Sequence, residues 1–168
     1  MYGVNSLAVS LRWRLEEALS GAPSLDAVLA DTLDLLALVR ADVARLGLVS
    51  GAITADGPER LDHNIGVLLR HAEHFEEREG LPLIAAPYVF TAAVYERIGV
   101  RELAERRFHE FWRAILTSGH VTDVFMTRGW ERSNGATDEY LTAQKLGLAV
   151  REPCIENEGC ASCKESWR

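Results

Sequence analysis

Apolar residues at 7, 11, 15 and 19 alternate with Arg12, Arg14, Glu16 and Glu17, a spacing that predicts an amphipathic helix over 6–19. Gly21, Ala22 and Pro23 end it. Ser24 is placed to cap a second helix, whose apolar stripe of Leu25, Val28, Leu29, Leu33, Leu36, Val39, Val43 and Leu46 is broad. Beyond it the pattern changes. Residues 46–53 read as a strand closed by Thr54-Ala55-Asp56-Gly57-Pro58, and 64–75 as a helix with Ile65, Leu68, Leu69, Ala72 and Phe75 inward. The continuous apolar run 81–86 has the character of a buried parallel strand. Residues 88–98 carry no clear period and read as irregular or helical, whereas 100–116 are helical on Leu103, Phe108, Phe111, Trp112 and Ile115. A second buried strand over 121–126, a polar turn over 129–135 and a helix over 136–146 with Leu141 and Leu146 inward follow.

This alternation of strands and helices predicts right-handed parallel crossovers and an α/β fold. The expected form is a three-layer α/β/α sandwich on a four- or five-stranded, mostly parallel sheet, preceded by an N-terminal helical extension. Ligands of such sheets bind beyond the carboxyl ends of the strands, an edge that here collects 50–54, 87–90 and 128–133.

The stretch Gly129-Trp130-Glu131-Arg132-Ser133-Asn134-Gly135-Ala136-Thr137-Asp138-Glu139 carries the candidate chemistry. A strand, a Gly-containing loop and a helix start place backbone N–H groups and the positive end of a helix dipole together, which favours an anion or a carboxylate. On that ground Glu139 is expected to stay ionised at neutral pH, although burial alone favours the neutral form. Ser133 has two readings, a phosphate-binding hydroxyl or a helix cap. Arg132 can add a charge-assisted contact. Trp130 either stacks on a base or packs.

Gly129-Trp130-Glu131, then Ser133, Gly135-Ala136 and Glu139, with Ala143 and Gly147 following, resemble the closing half of the nucleoside 2-deoxyribosyltransferase-like superfamily. That superfamily includes nucleotide N-glycosidases that cut a base from a 5′-monophosphate. Its opening half, a strand ending in a small Ser/Gly loop, a helix and a strand ending in Pro, is met in order by 46–54, 61–79 and 81–87. The resemblance covers 46–151, which leaves 1–45 as a helical extension and 152–168 as a Cys-containing tail.

The resemblance implies that Glu139 is the nucleophile, attacking C1′ to give a glycosyl-enzyme ester that water or another base resolves. It implies that Ser133, with Arg132, Gly135 and Trp130 around it, meets the nucleotide, and that Ser50, Gly51 and Thr54 line sugar and phosphate. It also implies a homodimer or higher homo-oligomer, in which a neighbour's residues reach the nucleotide. The family's proton-relay Asp has no clear counterpart; Glu110 is the nearest replacement and His109 its rival. Asp123, at the start of its strand, is assigned a structural role.

Charge and composition narrow the partners. Eighteen basic against twenty-five acidic residues give a net charge of −7, with the basic residues spread along the chain and adjacent only at Arg106-Arg107, so a nucleic-acid polymer is not an expected ligand. No apolar run reaches the eighteen or so residues of a membrane span, and residues 1–10 lack the marks of a secretory signal, which together predict a cytoplasmic protein. Cys154, Cys160 and Cys163 form a Cys-x5-Cys-x2-Cys tail that a closed zinc site would have to complete with a fourth donor, and a flexible thiol-bearing tail is the expected outcome. His71 and His74 share a helix face without an evident third ligand, so neither metal nor cofactor is expected. The expected function is a nucleotide N-glycosidase; a base-exchanging deoxyribosyltransferase and a non-catalytic nucleotide-binding module are the alternatives.

Overall fold

The computed structural model describes residues 5–99 and 104–152, with backbone alone for 5–10. Its elements are α1 (Asn5–Ala18), α2 (Leu25–Asp42), β1 (Gly47–Ser50), α3 (Leu61–Glu79), β2 (Leu83–Ala85), α4 (Ala86–Val89), α5 (Ala92–Ile98), α6 (Glu105–Thr117), β3 (Asp123–Met126), α7 (Asn134–Leu146) and β4 (Ala149–Arg151). Four parallel strands in the order β2-β1-β3-β4 form the sheet of an α/β/α sandwich. Among the described residues no helix is long and apolar enough to cross a membrane.

The strands follow from their burial. β1, β2 and β3 are covered on both faces and are buried throughout, so their sequences are apolar without alternation; β4, at the edge, is half-exposed. Gly47 fits β1 between its neighbours because a Cβ there would lie 2.2 Å from the Leu83 side chain and 2.8 Å from Phe125. Ser24 caps α2 as expected, its Oγ accepting the Ala27 N–H at 3.2 Å. Glu76, half-buried on α3, accepts the Leu83 N–H at the β2 edge.

The two N-terminal helices belong to the same core as the sheet. Leu11, Leu15, Leu19, Leu25, Val28, Leu36 and Val39 are buried in it, and Arg97 of α5 ties down the end of α1 through the Leu19 carbonyl at 2.8 Å. Residues 88–98 resolve into α4 and α5, the latter capped by Thr91. The helix expected over 64–75 extends through the longer α3.

One expectation about packing fails. Leu141 and Leu146 are 48% and 44% exposed, while Ala136 and Ala143 are buried. α7 packs against α6, β3 and β4, and its small residues let the backbones approach. The Arg113–Asp138 ion pair between α6 and α7 fixes the rotation of α7.

Asp123 is structural, as expected. It lies at the amino end of β3, where Arg45 donates to both carboxylate oxygens (2.5 and 3.2 Å) and Thr122 Oγ1 to Oδ2 (2.6 Å). Burial opposes its charge, but these hydrogen bonds and the charges of Arg45 and Arg151 outweigh it and hold the carboxyl below its ordinary value.

Candidate active site

The chain passes from β1 to β2 on one side and returns to β3 on the other, so the strand order reverses at β1. Crevices open at the carboxyl ends of strands at such a reversal. Here a cavity of about 610 Å³ lies at that place, lined from β1 by Ser50, from the next loop by Gly51 and Thr54, and from the β3–α7 connection by Arg132, Ser133 and Gly135. Glu139 also lines it.

Ser50 ends β1 at 2% exposure and donates its hydroxyl to Glu139 Oε2. Glu139 is the sixth residue of α7. The field of a helix terminus fades within the first turn, so it does not reach this carboxylate strongly. Loss of water dominates instead: burial pushes the Glu139 carboxyl from its ordinary 4.5 up to about 7, opposed by the Ser50 hydrogen bond and helped by the adjacent charge of Asp138. Glu139 is therefore not firmly ionised at neutral pH, contrary to the expectation from the dipole.

Gly51 has a structural reason to be glycine, since a Cβ would lie 2.0 Å from Thr127 Oγ1 at the end of β3. Gly129 starts the turn before α7 with φ +77°, a left-handed conformation that suits glycine. Ser133 caps α7, its Oγ accepting the Ala136 N–H at 3.2 Å, and the same side chain borders the cavity. A Cβ on Gly135 would sit 3.8 Å from His109 Nε2, so the imidazole faces the start of α7 closely.

His109, on α6, lines the cavity and lies with Nε2 3.5 Å from Glu105 Oε1, a second cavity residue. Glu110 does not reach the site. One residue further round the helix, its side chain is 50% exposed and pairs with Arg106 at 3.2 Å. The phase of α6 is set by burial of Phe111, Trp112, Ile115 and Leu116, and that phase turns 109 inward and 110 outward. Trp130 is absent from the lining; it is buried and stacked on Tyr140 at 4.4 Å, so packing is its role.

The remaining wall is aromatic. Phe90, Tyr95, Phe108 and Trp112 border the cavity, with Phe90 stacked on Tyr95 at 5.7 Å and edge-on to Phe108 at 5.4 Å. Of this wall only Phe90, within 87–90, was expected at the ligand edge; Tyr95, Phe108, Trp112 and Glu105 did not figure among the sequence candidates. Asp56, read only as loop punctuation, binds Arg132.

No group of three or more His, Cys, Asp or Glu able to hold a metal occurs among the described residues. His71 is buried with Nδ1 2.9 Å from the Val67 carbonyl, and burial lowers its pKa. Cys154, Cys160 and Cys163 lie outside the described residues. In comparisons with known proteins, the chain matches no family model, no curated protein and no solved structure.

Proposed function

We propose that this chain is an N-glycosidase that releases the base from a nucleoside 5′-monophosphate. The observation that carries the reading is the pairing of Ser50 with Glu139 inside the cavity, beside the capped start of α7. A C–N glycosidic bond breaks with positive charge growing on C1′ and negative charge on the departing base. A carboxylate answers the first need, an acid the second.

In this reading ionised Glu139 attacks C1′ and the C–N electron pair leaves with the base, which takes a proton from His109. Water, giving its proton back to His109, then attacks C1′ and frees the carboxylate. Ser50 orients the Glu139 oxygen, and Glu105 orients the imidazole. The aromatic wall receives the planar base, and Ser133, Gly135 and Arg132 meet the phosphate, where helix N–H groups favour an anion. His109 takes the role expected of Glu110.

The test is incubation with a panel of ribo- and deoxyribonucleoside monophosphates, with free base followed by chromatography. Release that is lost in Glu139→Ala supports the proposal. No base from any member of the panel refutes it, and base released only when a second base is supplied replaces it with the transferase reading.

A further inference from the structure

Among the described residues lining the cavity Arg132 is the sole Lys or Arg, so it is the natural partner for an anionic group there. Its guanidinium is already anchored at two points. Nη1 donates to Asp56 Oδ1 at 2.6 Å, and Nε donates to the Gly129 carbonyl at 3.3 Å. The second Asp56 oxygen, Oδ2, accepts from Asn64 Nδ2 at 3.1 Å, and the same amide donates to the Ile53 carbonyl at 3.0 Å. Asn64 is 7% exposed on α3, so the chain of bonds starts from a fixed point in the body of the fold and ends on a half-exposed arginine.

These links join the two loops that form the cavity mouth, one after β1 and one before α7. A free arginine side chain carries rotamer entropy, much of which must be surrendered when it grips a ligand. Two anchors surrender it in advance. They use Nε and one Nη1 hydrogen, and leave the donors of Nη2 for a further acceptor.

We propose that Asp56, held by Asn64, is a positioning residue that presents Arg132 to the phosphate of the substrate. The inference rests on the monophosphate reading of the cavity and adds to it where selectivity for the phosphate is set. Asp56 acts through the guanidinium and touches no reacting atom. The opposite assignment, in which Asp56 competes with phosphate for Arg132, predicts tighter binding once the carboxylate is removed.

Ribose 5-phosphate and 2-deoxyribose 5-phosphate, the base-free products that the proposed reaction gives from the two nucleotide classes, are the probes, each titrated calorimetrically into the full chain. Asp56→Asn keeps the shape and the Asn64 contact region while removing the charge; Asp56→Ala serves as the second variant, each checked for folding by circular dichroism. Binding should weaken about three- to tenfold in both, as expected for a half-exposed pair plus a released arginine. In an Arg132→Ala background the same changes should have no further effect. With a monophosphate substrate, KM should rise with kcat unchanged, and with the matching nucleoside neither should move. Unchanged or tighter binding in the Asp56 variants, or a loss that persists without Arg132, overturns the positioning role. Absence of binding of both sugar phosphates by the unaltered protein removes the monophosphate reading itself, so the two failures are distinct.

Discussion

Replacing Glu139 by Gln should remove activity and stabilise the fold, with the second effect dependent on pH. The carboxyl is displaced from 4.5 to about 7 in the folded chain. A carboxyl with a raised folded pKa binds more protons folded than unfolded, so its contribution is full below about 4.5 and declines as pH rises through about 7. At roughly 1.4 kcal/mol for each tenfold change in proton affinity, the loss reaches on the order of 3 kcal/mol at pH 8. Gln carries no proton to lose and its carbonyl still accepts from Ser50. For a chain of this size about 3 kcal/mol corresponds to a Tm gain of roughly 6–12 °C. The assay is calorimetric melting of both proteins between pH 5 and pH 8.5. The Tm difference should be about a quarter of its full size at pH 5 and widen with pH, and a constant difference across the range refutes the argument. Glu76 supplies the control: burial raises it to about 7 as well, yet it lies outside the cavity. Glu76→Gln should show the same widening with turnover intact.

The kcat/KM of the unaltered protein should show a limb that rises with pH toward about 7 as Glu139 ionises, and the absence of any rising limb removes Glu139 as the nucleophile. Ser133→Ala should raise KM for a monophosphate more than for its nucleoside, with about 1.5–3 kcal/mol lost from a charged hydrogen bond; equal effects leave Ser133 only its capping role. Gly51→Ala should destabilise by about 1–3 kcal/mol in urea melts, because its Cβ meets Thr127 at 2.0 Å. A homodimer remains part of the proposal, with Trp13 and Leu38, 61% and 60% exposed on the outer helices, as the apolar surface to be covered. Light scattering at micromolar protein checks it, and a monomer mass sinks it.

The site was legible where its parts are local. Ser133 and Glu139 lie at the cap and in the second turn of one helix, so the helical period alone brings both toward the end of the sheet. The parallel strands were likewise accessible, since buried parallel strands write themselves as apolar runs, whereas their order in the sheet was not. Glu110 and His109 show where such reading stops. Adjacent residues on a helix point about 100° apart, and only the packing of Phe111 and Trp112 decides which one enters the cavity. Leu141 and Leu146 misled for a related reason: hydrophobicity marks what gains from burial, whereas close helix packing selected Ala136 and Ala143. Asp56 and Arg132, 76 residues apart, become partners only through the fold.

The Arg113–Asp138 pair on the outside of α6 and α7 has a reach beyond holding two helices in phase. Burial dominates the upward shift of the Glu139 carboxyl and the charge of Asp138 adds to it, so whatever screens Asp138 tunes a part of how much of the proposed nucleophile is ionised near neutrality. Arg113 is a built-in counterion for that purpose, and dissolved salt is another. Removing Arg113 should therefore shift the alkaline-rising limb of activity to higher pH, and added salt should restore part of it. A solvent-facing arginine, absent from the cavity lining, would thus make the ionic strength of the medium a setting for the proposed chemistry.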